Sequence, residues 1–149
     1  MPGLSRPRRE PDGQNRVLGV TPPPRVLLVI PGQWPRALLR AELRERGYDA
    51  LGARNLGEAM RYPAAAPERA SVRLVVIDQD ALAGVDEGLV TSVLERHAGP
   101  VVVLLARGGT IPSAGPWQRV IRRPVSIAGI VHAVLELLPL PAEQRHPVD

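Results

Sequence analysis

Residues 25–50, RVLLVIPGQWPRALLRAELRERGYDA, read as a short strand followed by a helix. Val26-Leu27-Leu28-Val29-Ile30 is apolar at every position and rich in β-branched residues, which predicts a strand buried on both faces, as in a parallel sheet. Pro35 to Arg46 then has the helical period. Pro35 lies in the opening turn, Leu38, Leu39 and Leu43 share one side, Arg36, Arg40 and Arg44 the other, Glu42 pairs with Arg46, and Gly47 is the stop.

Working outward, the same alternation recurs. Val72 to Ile77, broken only by Arg73, and Val101 to Leu105 are further apolar runs of strand length, and weaker strands fit at Ala50–Ala53 and Gln118–Arg122. Asn55 followed by Glu58 resembles a capping box for a short helix ending at Pro63. Glu87 to His97 turns Leu89, Val90, Val93 and Leu94 inward, and Ser126 caps a last helix over Ile127–Leu138, closed by Pro139. This order predicts a doubly wound α/β fold, a five-stranded parallel sheet with helices on both faces.

The chain has 149 residues, 44% of them apolar, which suits one domain. Residues 1–24, rich in Pro, Gly and Arg and ending in Pro22-Pro23-Pro24, predict a disordered arm; residues 139–149 predict a flexible tail, leaving 25–138 as the domain. The basic start runs into Glu10, Pro11 and Asp12 with no apolar stretch, unlike a secretory leader. No uncharged apolar run approaches the roughly 20 residues of a membrane span, so a cytoplasmic location is expected. All nineteen basic residues are Arg, an oddity that GC-rich coding accounts for. The net charge of +4 is uneven: residues 1–25 hold five Arg against two acids, whereas residues 26–138 hold thirteen against eleven. With no cysteine, disulfides, thiolate metal sites and cysteine nucleophiles are excluded.

In open α/β sheets, sites form outside the carboxyl ends of the strands. Those ends are Pro31-Gly32-Gln33-Trp34, Asp78-Gln79-Asp80, Ala106-Arg107-Gly108-Gly109 and Arg122-Arg123-Pro124. Here a family resemblance emerges. Arg25 to Ala50, Ala53-x-x-x-x-Glu58-Ala59-Met60, Leu74 to Asp78, Pro100 to Arg107 and Arg123-Pro124 resemble, in order and spacing, the CheY-like receiver domains of bacterial response regulators. The resemblance implies a flavodoxin-like/CheY-like fold, with the fourth helix truncated because the segment before the fifth strand is short and holds Pro112 and Pro116.

It also implies which parts of the family's phosphorylation apparatus are missing. Asp78 falls at the phosphoacceptor position, but the acidic pair that holds Mg²⁺ falls at Ile30 and Pro31, which lack the oxygen side chains a hard cation needs. The strand-four Thr or Ser position is Leu105, the strand-five aromatic position is Val120, and the Lys before the cis proline is Arg123, a planar fork in place of a compact ammonium. Arg123 is expected to pair with Asp78. The implied function is an atypical, phosphorylation-independent signalling module of a two-component-type system that acts by protein contact. No enzymatic role, cofactor or metal is expected, since His97, His132 and His146 are scattered and Asp80 reads as a solvated loop acid.

Two other functions compete. Arg107 and Arg123 give a positive edge on which a small ligand or nucleotide could bind at the strand ends; Gly108-Gly109-Thr110 itself reads as a turn, not an anion cradle. Arg6, Arg8, Arg9 and Arg16 could contact nucleic acid, but Glu10 and Asp12 interrupt them and aromatics are few, so a tether fits better. The last helix carries two apolar stripes, Ile130/Val134/Leu137 and Ile127/Val131/Leu135/Leu138. A helix on one sheet face needs one. The second stripe is expected to be an interface, with a protein partner or a second copy.

Overall fold

The computed structural model describes residues 22–63, 70–109 and 114–141. Five strands, β1 (Arg25–Val29), β2 (Asp49–Ala53), β3 (Val72–Asp78), β4 (Val101–Ala106) and β5 (Arg119–Arg122), form one parallel sheet in the order β2-β1-β3-β4-β5. The α-helices are α1 (Gln33–Arg46), α2 (Leu56–Ala59), α3 (Glu87–Arg96) and α4 (Ile127–Leu137), with a 3-10 turn at Gln79–Leu82.

Within each continuous apolar run, pleating sends alternate side chains to opposite faces. Val26, Leu28, Leu74, Val76, Val103 and Leu105 meet Leu39 and Leu43 of α1 and Ile130, Val131 and Val134 of α4. On the other face, Leu27, Val29, Val75, Ile77 and Val102 meet Leu56 and Ala59 of α2 and Val93 and Leu94 of α3. The sheet is thus covered on both sides, which is why its central strands could not alternate with polar residues.

Local differences from the expected elements have local causes. α1 starts at Gln33, with Pro35 in its first turn, and ends where Gly47 adopts φ 114° and its N–H reaches the Arg44 and Leu43 carbonyls. Leu38 lies off the buried side of α1 and is 53% exposed, whereas Leu39 and Leu43 are fully covered. α2 is four residues long and stops well before Pro63. Asn55 Oδ1 accepts from the Glu58 N–H at 2.8 Å, but Glu58 returns its carboxylate to the Arg54 N–H at 2.6 Å, one residue before the box position, because the Arg54 guanidinium also holds it. α3 ends at Arg96, leaving His97 as its C-cap.

Between β4 and β5 no helix occurs among the described residues, in line with a truncated fourth helix. Trp117 packs there against the α2/α3-side core. Gln118 zips the start of β5 to β4: its N–H donates to the Val102 carbonyl at 2.8 Å, and its side-chain oxygen accepts from the Val102 N–H at 2.5 Å.

The two stripes of α4 are used differently from the interface expected of them. Val131 and Leu138 are 2% and 3% exposed, and Ile127 and Leu135 pack against the same core. The reason is that α4 lies in the angle between the sheet and α1, so it needs two apolar sides within its own chain. Tyr48 and Leu140 close the remaining gap, with the Tyr48 hydroxyl donating to the Leu138 carbonyl at 2.6 Å. The folded unit therefore reaches past Leu138 to the buried Leu140, and it includes Pro24, whose carbonyl accepts from the Asp49 N–H at 2.9 Å. The Arg-rich arm through residue 21, its Arg6, Arg8, Arg9 and Arg16, and the tail from residue 142 lie outside the described residues.

On the outer edge of β2, side chains take up backbone carbonyls. Its outward carbonyls, Ala50 and Gly52, accept from Arg40 Nε at 3.0 Å and from the Tyr62 hydroxyl at 2.5 Å.

Candidate functional site

Parallel strands bring their carboxyl ends to one side of the sheet, and there the ends of β1, β3, β4 and β5 meet. Asp78 is the last residue of β3 and is buried, directly across from Leu105 in register. One of its carboxylate oxygens, Oδ1, accepts from the Asp80 N–H at 2.9 Å and so caps the 3-10 turn. The other, Oδ2, is gripped by Nη2 of Arg123 in a short charge-assisted hydrogen bond.

The grip extends sideways. Arg123 Nη1 lies 3.7 Å from Asp80 Oδ2, and Asp80 Oδ1 is 2.7 Å from Arg107 Nε. The Arg107 N–H donates to Gln79 Oε1 at 2.7 Å. Asp78, Asp80, Arg107 and Arg123 form a chain of alternating charges that sums to zero and ties the loops after β3, β4 and β5 together. Gly108 makes this approach possible: a Cβ there would stand 2.7 Å from the Arg123 carbonyl oxygen. The Arg123–Pro124 peptide bond is cis.

At the end of β1, Ile30 is buried and Pro31 exposed. Their backbone carbonyls are also engaged: Nη1 of Arg36 donates to the Ile30 oxygen at 2.7 Å and to the Pro31 oxygen at 3.2 Å. Neither side chain supplies an oxygen, and Leu105 has no hydroxyl to offer. Among the described residues no group of three or more His, Asp or Glu is placed to hold a metal ion.

Of the residues singled out from sequence, Asp78, Arg123 and Arg107 thus come together, with Asp80 as the link between the two arginines. Asp80 is accordingly not a merely solvated loop acid, and Arg107 faces this carboxylate, which argues against it as a bare anion contact. His132 pairs with Glu136 at 3.3 Å on the exposed side of α4, and His97 lies at the opposite end of the sheet. His146 lies outside the described residues. No helix among the described residues is long and apolar enough to cross a membrane.

Sequence reasoning missed two features. Trp34 and Leu38 stand exposed at a cleft beside the Asp78–Arg123 pair. At the far end of the sheet, Arg25, Asp49 and His97 gather although nothing in their local patterns marks them.

No protein-family model and no curated protein sequence matches the chain. Solved structures do. A response regulator receiver protein from Pseudomonas putida superposes with a TM-score of 0.62 at 20% identity, covering 78% of this chain and 99% of that one. A response regulator receiver domain protein from Bacillus halodurans gives 0.62 at 17% identity over 79% and 99% of the two chains. A response regulator from Burkholderia pseudomallei, whose crystal structure holds a phosphorylated aspartic acid and a calcium ion, gives 0.58 at 14% identity over 78% and 67%. The fold is therefore that of CheY-like receiver domains, as its sequence resemblance implied.

Proposed function

We propose that this chain is an atypical receiver-like module of a two-component-type signalling system, acting through protein contact and without a cycle of Asp78 phosphorylation. One observation carries the reading: both oxygens of the Asp78 carboxylate are committed, one to the turn that follows it and one to Arg123. Ion pairing to Arg123 draws charge from the carboxylate that would attack, and the phosphoryl oxygens it receives need a cation or comparable donors to neutralise them. The positions that flank Asp78, Ile30, Pro31 and Leu105, offer no side-chain oxygen to a cation or a phosphoryl group. The arrangement favours one fixed state of the strand ends over a switch, and the reading assigns the chain no reaction of its own.

Incubation of the full chain with acetyl phosphate and Mg²⁺, followed by intact mass measurement, tests it. The expected result is unmodified protein. A phosphoryl adduct that forms on the parent and is lost in Asp78→Asn overturns the reading.

A further inference from the structure

A cleft of about 550 Å³ opens beside the Asp78–Arg123 pair, between the start of α1 and the link from β5 to α4. Trp34 and Leu38 stand on one wall, Val125 and Ile127 on the other, and the charged pair closes one end. Among the described residues only three large hydrophobic side chains are exposed, and two of them, Trp34 at 74% and Leu38 at 53%, line this one cleft. Scattered exposed apolar residues need no explanation, but two on a concave surface do. Nothing in the fold requires either: the core contact of α1 is made by Leu39 and Leu43.

We propose that this cleft is a binding site for a small, planar, uncharged aromatic molecule with a polar edge. Volume and lining agree with that class, since small-molecule sites enclose roughly 300–1,000 Å³ and combine apolar walls with a few convergent polar groups. The indole of Trp34 offers a face for stacking a ring. The charged end selects against ions. Asp78 and Asp80 are each ion-paired with an arginine, so an anion could bind Arg123 only by competing with Asp78, and a cation could bind the aspartates only by competing with Arg107 or Arg123. A neutral donor–acceptor edge can donate to the Asp80 carboxylate and accept from Arg123 without breaking the pair. A concave site of this volume suits a small molecule better than a second copy of the chain, whose contact would bury a broad, flatter area. The inference goes beyond the phosphorylation question, because neither outcome of the phosphodonor experiment bears on Trp34 or Leu38.

The test is a fluorescence titration of the full chain with N-phenyl-1-naphthylamine, an uncharged three-ring aromatic amine, with sedimentation of the same samples. The expected result is saturable binding at one site, at least tenfold weaker in Trp34→Ala and in Leu38→Glu, and unchanged in Val120→Glu, where an exposed apolar residue lies away from the cleft. Both cleft side chains are exposed, so circular dichroism should show each variant folded. The sulfonated analogue 8-anilinonaphthalene-1-sulfonate should bind at least tenfold more weakly than the neutral probe. Absence of saturable binding, equal binding by the Trp34 and Leu38 variants, or preference for the sulfonate overturns the proposal. A parent dimer that Leu38→Glu dissociates also overturns it, by giving the cleft to a second copy.

Discussion

Each end of the sheet has an arginine paired with an aspartate, and the two pairs sit in opposite surroundings. At the amino ends of the strands, Arg25 of β1 is 2% exposed, its Nε 3.2 Å from Asp49 Oδ2 of β2 and its Nη1 donating to the Ala70 carbonyl at 3.3 Å. His97, also 2% exposed, lies nearby, and neither ring nitrogen has a hydrogen-bond partner among the described residues. At the carboxyl ends, Asp78 is buried, but Arg123, Asp80 and Arg107 reach water and border an open cleft. The first cluster is a seam that fixes how β1, β2 and the start of β3 meet. The second lies at the surface, where the same two residue types border a cleft. What separates the two clusters is the exposure of their arginines, not residue identity.

The comparison can be broken most directly at the buried seam. Arg25→Met strands Asp49 and the Ala70 carbonyl, and urea denaturation should show a loss of about 3 kcal/mol, as for breaking a buried pair from one side. A loss below about 1 kcal/mol would place the seam in the same class as an exposed ion pair. Asp78→Asn keeps an oxygen for the Asp80 N–H but surrenders the charge that holds Arg123, so a smaller loss of about 2 kcal/mol is expected in the same assay.

The third prediction concerns pH. Burial first, then the positive charges of Arg96 and Arg25, hold the His97 pKa below its usual value. The folded state thus prefers neutral His97, while the unfolded chain takes up the proton near pH 6.5. The stabilisation is fully present above that pH and is lost as pH falls from there through the lowered folded-state pKa, with a slope of at most about 1.4 kcal/mol per pH unit. Thermal melts across pH 7 to 5 should show it, and His97→Gln should flatten the profile. The smallest effect is expected at Arg107→Ala: both partners of its pair with Asp80 are about half exposed, so stability should change by less than about 1 kcal/mol. A larger loss would mean that the strand-end cluster is a second seam.

The fold was legible because the sheet is buried on both faces. Apolar runs such as Leu74–Ile77 announce themselves without any partner in view, and Gly47 and Ser126 mark helix ends by chemistry that acts within a few residues. The meeting of Asp78 and Arg123 at the carboxyl ends of β3 and β5 followed from the family resemblance. What was not legible is whatever depends on three-dimensional neighbours. Arg25 reads only as the residue that opens the domain until Asp49 and His97, far away in sequence, close on it. Leu38 reads as part of the α1 core stripe, because adjacent leucines on a helix are only about 100° apart and pattern alone cannot say which the sheet covers. The second stripe of α4 looked surplus only because the pattern counts one packing surface, where the chain provides the sheet and α1 together.

The Arg40 and Tyr62 contacts on β2 have a consequence for assembly. A sheet with two open edges is a polymer unit, since each added copy presents a fresh edge to the next. With the Ala50 and Gly52 carbonyls already satisfied, this sheet is stoppered at one end, and β5 at the other end is only four residues long. Neither edge is then a long row of free backbone groups, so the fold offers a second copy little on which to extend the sheet.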